Sequence, residues 1–104
     1  MTRLRRSSAP TLALLSTMLE RPRAWQYGYE LAQMTRLKSG TLYPILMRLS
    51  DRGMLESKWQ LSEKPGLPPR HMYRLTVDGG VFAREQIADT VTGHSSRLSL
   101  GKYA

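Results

Sequence analysis

The chain contains no cysteine, which removes disulfide cross-links and thiolate metal sites and fits a reducing compartment. Acidic residues are scarce, with eight Asp and Glu against sixteen Lys and Arg. They are scattered singly, so the paired carboxylates of general acid–base chemistry are missing. Only two histidines occur, His71 and His94, and neither has a partner at metal-ligand spacing. No glycine-rich loop follows a strand-like stretch, which removes a phosphate cradle for nucleotide chemistry. Together these absences argue against an enzyme and imply no cofactor. A long apolar run is also lacking. The nearest approach, Ala9 to Leu19, follows Arg3, Arg5 and Arg6 in the manner of a signal peptide, but it is too short to span a bilayer. It is followed by Glu20, Arg21, Pro22 and Arg23 instead of small residues suited to cleavage. It reads as a core helix, and the chain is expected to be cytoplasmic with no membrane partner.

What is present fits one domain: 104 residues allow a single modest core. A net charge of +8 favours a polyanionic partner, nucleic acid or an anionic membrane surface, without choosing between them. The pattern from Ser39 to Arg52, SGTLYPILMRLSDR, is more specific. It sets Leu42, Ile45, Leu46 and Leu49 at i, i+3, i+4 and i+7, one face of an α-helix. The other faces carry Lys38 at the entrance, then Ser39, Gly40, Thr41, Tyr43, Pro44, Met47 and Arg48. An ordinary amphipathic core helix would share the stripe. A helix that also presents short polar and basic side chains at its N-terminal end suits the DNA major groove. Pro44 lacks the N–H that an interior turn uses, so it predicts a helix start close by, with the cap at Ser39, Gly40 or Thr41.

In chain order, Met1 to Ser8 is basic, without apolar periodicity, and reads as a mobile arm. Pro10 opens a helix in which Leu12, Leu15, Met18 and Leu19 recur at helical spacing, while Leu14 adds a second strip. Two apolar strips imply burial on two sides, inside the monomer core or against a second subunit. Glu20 to Trp25, holding Pro22, connects rather than packs. A further helix starts between Trp25 and Gly28 and runs through Gln33. Only Met34 to Lys38 separate it from the Ser39 helix, which is helix-turn-helix spacing, with small Ala32 permitting close crossing. The glycine usual in that turn is absent, and Arg36 stands near its place.

Gly53 is a C-cap candidate for the Ser39 helix. Beyond it the period becomes strand-like: Leu55, Ser57 and Trp59 alternate with Glu56, Lys58 and Gln60, and Tyr73 and Leu75 with Met72 and Arg74. The loop between holds Pro65, Gly66, Pro68 and Pro69, and a hairpin with such a loop after a helix-turn-helix makes a wing. Lys64, Arg70 and His71 are placed at or near its tip, where cations reach phosphate or the minor groove. Thr76 can cap a last helix, with Asp78 favourable in its first turn. Val77, Val81, Phe82, Ala83, Ile87, Ala88 and Val91 exceed one narrow stripe, which favours packing on another chain. Gly93, His94, Ser95 and Ser96 interrupt that helix.

Gly28-Tyr29-Glu30-Leu31, Ser39-Gly40-Thr41-Leu42-Tyr43-Pro44, Arg48-Leu49, Gly53-Met54-Leu55 and Pro69-Arg70-His71-Met72-Tyr73-Arg74-Leu75-Thr76 resemble the PadR family of bacterial transcriptional regulators. The resemblance runs from about Leu12 to Gly79. It implies a winged helix-turn-helix, mainly α with a small β-hairpin, that binds a pseudo-palindromic operator in double-stranded DNA as a homodimer. It further implies a repressor role and release by a small aromatic effector. The candidate DNA-binding residues are Lys38, Ser39, Gly40, Thr41, Tyr43, Pro44, Met47, Arg48, Lys64 and Arg70. Leu12, Leu14, Met18, Phe82, Ile87 and Val91 are candidates for the dimer interface, and Trp25 and Trp59 for an effector site between subunits. The expected division is a basic arm (1–8), the winged helix-turn-helix (9–76), a dimerisation helix (77–92) and a flexible tail (93–104). A winged-helix protein-interaction module without specific DNA binding is the alternative.

Overall fold

The computed structural model describes the backbone of residues 7–103 and the side chains of residues 7–90. Of the expected basic arm, residues 1–6 lie outside the described residues. Helix α1 (Ala9–Leu19) is capped by Ser8, whose hydroxyl accepts from the Thr11 amide at 3.3 Å, and Pro10 sits in the first turn, where its missing N–H removes nothing. A two-residue strand β1 (Gln26–Tyr27) leads into α2 (Gly28–Thr35). The Glu30 carboxylate reaches back to accept from the Tyr27 amide at 3.3 Å, which fixes the entry of the chain into the helix.

The turn from α2 to α3 (Ser39–Asp51) passes through Arg36 at φ 60°, the left-handed region. An arginine therefore holds the conformation that glycine adopts at least cost. Thr35 steadies the turn: its hydroxyl donates to the Leu31 carbonyl at 2.6 Å and accepts from the Leu37 amide at 3.3 Å. The cap of α3 is Lys38, one residue earlier than the expected range, so Pro44 lies in the helix interior and not in its first turn. Proline there removes the bond that would run to the Gly40 carbonyl. Both residues are exposed, so water can take that carbonyl, and the apolar stripe holds the helix together. At the other end Gly53 adopts φ 77°, its amide donates to the Ser50 carbonyl at 3.0 Å, and the Met54 amide donates to Leu49 at 2.8 Å, a complete Schellman motif.

Strands β2 (Leu55–Gln60) and β3 (Arg70–Leu75) pair antiparallel with Leu55 opposite Leu75, Ser57 opposite Tyr73 and Trp59 opposite His71. The expected hairpin is a three-stranded sheet of order β1-β3-β2, because Gln26 and Tyr27 pair with Tyr73 and Met72. Two residues are too short for an alternation to be visible in sequence. Leu55, Tyr73 and Leu75 face the core, which also takes Leu14, Leu15, Met18, Leu31, Leu42, Ile45, Leu46, Leu49, Phe82 and Ala83.

Helix α4 runs Val77–Tyr103. It passes Gly93 unbroken, so the expected end at 92 and the tail over 93–104 do not describe this part of the chain; one glycine costs a helix only about 1 kcal/mol. Thr76 caps it, accepting from the Gly79 amide at 2.8 Å while donating to the Gly53 carbonyl at 2.7 Å. A Cβ on Gly79 would collide with the Met54 carbonyl oxygen, so this glycine is required by the close approach of α4 to the end of α3. The first turns of α4 pack on α1 of the same chain, and buried Gln86 accepts from the amide and hydroxyl of Ser7, each at 2.8 Å.

Candidate nucleic-acid interface

Helix α3 divides as its sequence dictates. Leu42, Ile45, Leu46 and Leu49 are buried, while Lys38, Ser39, Gly40, Thr41, Pro44, Met47 and Arg48 are exposed, Met47 to 64%. No side chain caps its N-terminus and no acidic residue occupies its first turn. The positive end of the helix dipole therefore meets solvent beside Lys38, Ser39 and Thr41, a setting receptive to phosphate.

Tyr43 is only half-exposed, because its ring leans onto Gly28 at the start of α2. The wing turns at Lys64 to Leu67, where the Leu67 amide points to the Lys64 carbonyl at 3.5 Å and Gly66 has φ 86°, the pattern of a type II turn with Pro65 at its second position. Lys64 thus stands at the tip. Arg70 begins β3 at the loop end of the ladder, opposite Gln60, its guanidinium 5.2 Å from the Tyr27 ring centre and 5.7 Å from that of Tyr29. Those two tyrosines stack on each other at 5.7 Å. His71 follows Arg70, opposite and stacked on Trp59 at 4.2 Å and bonded through Nδ1 to the Tyr73 hydroxyl at 2.8 Å. Burial, with the nearby Tyr43 second, pushes the Tyr73 phenol up to about 12. It keeps its proton near neutral pH.

The other face of the sheet holds a cluster that sequence reasoning missed. Glu56 accepts from Arg74 at 3.1 and 3.2 Å and from Arg23 at 3.4 Å, and Arg23 also donates to the Leu75 carbonyl at 2.5 Å. The Arg74 hydrogen bond, with Arg23 adding, holds the Glu56 carboxyl below its ordinary 4.5. Arg74 and Lys58 cover the Trp25 ring at 4.3 and 4.5 Å. Alternation along β2 and β3 would have put Glu56 and Arg74 on one face, but Arg23 and Trp25 lie in a connection with no period to read.

Two groups of expected residues are not brought together. Trp25 and Trp59 fall on opposite faces of the sheet, since Trp59 alternates with Lys58, and they share no site. Leu14 and Met18 are fully buried in the core of their own chain, and Phe82 keeps only 8% of its surface exposed. The core needed both strips of α1, because α4 covers one of them. Leu12 and Ile87 remain half-exposed, and Val91 lies outside the residues whose side chains are described.

Comparison with known proteins is in keeping with this architecture. The family model described as "Transcriptional regulator PadR-like family" matches residues 14–85. A PadR family transcriptional regulator from Eggerthella lenta superposes with a TM-score of 0.71 at 30% identity, covering 90% of this chain and 84% of that one. One from Clostridium difficile gives 0.67 at 26% identity, covering 88% and 98%. A PadR-like regulator from Bacillus cereus shares the fold, with a TM-score of 0.65 at 21% identity and coverage of 90% and 92%. Among curated proteins none matches.

Proposed function

Because the chain belongs to the PadR-like family of transcriptional regulators and is not an enzyme, we propose that it is a sequence-specific repressor that seats α3 in the major groove of operator DNA. The observation that supports this reading is the division of α3, with a buried aliphatic stripe below and an exposed surface of Lys38, Ser39, Thr41 and Arg48 above. Ser39 and Thr41 donate to phosphate or base edges, and Lys38 and Arg48 supply charge and contacts to guanine. Gly40 and Pro44 leave room for the groove wall, Tyr43 and Met47 line it, and Lys64 and Arg70 reach the neighbouring backbone from the wing.

A homodimer places two such helices on half-sites about one helical turn apart, hence a pseudo-palindromic operator. Among the described residues, Leu12 and Ile87 are half-exposed and Val77 and Val81 on α4 are exposed, and these offer apolar surface for that contact. A small aromatic effector releases the DNA, and the protein works in the cytoplasm; no described helix is long and apolar enough to cross a membrane.

Fluorescence anisotropy with duplexes from upstream of the coding region, beside scrambled controls, tests the reading. Sequence preference is expected, with affinity falling steeply between about 50 and 200 mM salt. Binding with neither property would overturn it and leave a protein-interaction module. Light scattering on the same samples reads the oligomer.

A further inference from the structure

Sulfur enters this chain only as six methionines, since cysteine is absent. Any reaction of a two-electron oxidant at sulfur therefore falls on a thioether. Burial sorts the methionines. Met18 is fully buried, Met72 keeps 9% of its surface, Met54 packs against the core, and Met1 lies outside the described residues. Met34 and Met47 are exposed, to 49% and 64%. Met34 ends up near the close of α2, whereas Met47 projects from the centre of the outward face of α3. At 3.6 residues per turn it lies almost opposite the buried stripe of Leu42, Ile45, Leu46 and Leu49, on one line with Gly40 and Pro44 before it and Asp51 after it. Gly40 has no side chain and Pro44 only a short ring, so the thioether is the longest side chain on that line.

We propose that Met47 is a modification site, at which hydrogen peroxide or a similar two-electron oxidant forms methionine sulfoxide and so lowers the affinity of α3 for DNA. A sulfur lone pair attacks one peroxide oxygen, and the S–O bond forms as the O–O bond breaks. The departing hydroxide takes the proton of the transferred oxygen and leaves as water, so sulfur loses the two electrons that the peroxide gains. The product replaces a soft apolar group by a polar one with an acceptor oxygen. Reduced, the side chain suits an apolar contact such as a thymine methyl. Oxidised, it presents negative charge to phosphates and to the acceptor edges of guanine and adenine. The fold is kept, because the modified atom is on the exposed side of α3 and the buried stripe is untouched. The loss of affinity rests on the DNA-binding reading above; the selectivity of the oxidation does not.

The test treats the full-length chain with hydrogen peroxide in rising doses. Trypsin leaves Met18, Met34, Met47, Met54 and Met72 on separate peptides, so peptide masses read each sulfur by itself. Met47 and Met34 are expected to gain one oxygen at doses that leave Met18 and Met72 reduced. Duplex affinity is expected to fall about tenfold once Met47 is oxidised, as for loss of one base contact. The circular dichroism spectrum should not change, and methionine sulfoxide reductases of both epimer specificities should restore binding. Each variant is compared with its own untreated sample: Met34→Leu is expected to lose affinity as the parent does, and Met47→Leu to change by less than about twofold. Met47 still reduced when Met18 or Met72 is oxidised overturns the site. Undiminished affinity with Met47 fully oxidised, an equal loss in Met47→Leu, escape of Met34→Leu from the loss, or a lost helical signal overturns the switch. A chain that binds no duplex before treatment overturns the DNA-binding reading and the switch together, while the peptide masses still decide the site.

Discussion

The phenol of Tyr43 rests on the backbone of Gly28: a Cβ added there would stand 2.5 Å from the hydroxyl oxygen and 2.9 Å from the ring. Helices α2 and α3 meet through this contact. Gly28→Ala is expected to push the ring outward, cost about 1–3 kcal/mol of stability as overpacking does, and weaken duplex binding. Urea denaturation checks it, and the Gly28→Ala/Tyr43→Leu double variant should lose less than the sum of the single losses.

Lys38 and Leu46 sit on opposite sides of the same helix and should fail differently. Lys38→Ala is expected to weaken binding to all duplexes alike and lower the salt slope by about one unit. Leu46 is fully buried, so Leu46→Asp places an unpaired charge in the core and is expected to abolish folding. Circular dichroism indistinguishable from the parent for Leu46→Asp would show that the inner face has been misassigned.

Glu56 gives a pH dependence with a definite sign. Its carboxyl titrates below the ordinary 4.5 in the folded chain because of Arg74 and then Arg23. The folded state therefore binds fewer protons than the unfolded one across that window. The resulting stabilisation is present above 4.5 and is lost as the pH falls through the folded value. Glu56→Gln should be less stable than the parent at neutral pH and converge with it in acid, as thermal melts across a pH series will read.

Gly79 has less freedom than Gly28, because what faces it is a backbone carbonyl and not the end of a side chain. Gly79→Ala is expected to cost about 3 kcal/mol, the upper end for overpacking. Helix propensity alone would make the same change favourable by nearly 1 kcal/mol, so the sign of the measured change separates the two effects.

Arg36 carries a strain that can be removed. Relieving a left-handed residue gains roughly 1–2 kcal/mol, and the added freedom of glycine in the unfolded chain gives back about 0.4–1 kcal/mol. Arg36→Gly should therefore raise the denaturation midpoint modestly, with an unchanged circular dichroism spectrum.

The parts of this fold that were legible in sequence are those with a repeating period. Leu42, Ile45, Leu46 and Leu49 marked the inner face of α3, and the alternation through Trp59 and Tyr73 marked the two strands of the wing, though not their register. The terminal signals at Gly53 and Thr76 were equally readable, since each satisfies backbone groups that a helix end leaves open. The cap of α3 and the interior position of Pro44 were not, because tertiary burial of the stripe outweighs a single missing hydrogen bond. The Gly28 contact was only hinted at by a glycine inside a helix. Leu14, Met18 and Phe82 show the opposite limit: an apolar excess announces burial, but it does not say whether the covering surface comes from the same chain.

Strand β1 has one more consequence. Its two residues pair with the middle of β3 and pass directly into the first turn of α2, so the hairpin is riveted to the helix that precedes α3. In the proposed complex the distance between the strands of the wing and α3 is then a set gauge, like the jaws of a calliper, and a duplex whose groove width differs from that gauge would itself have to deform to be held.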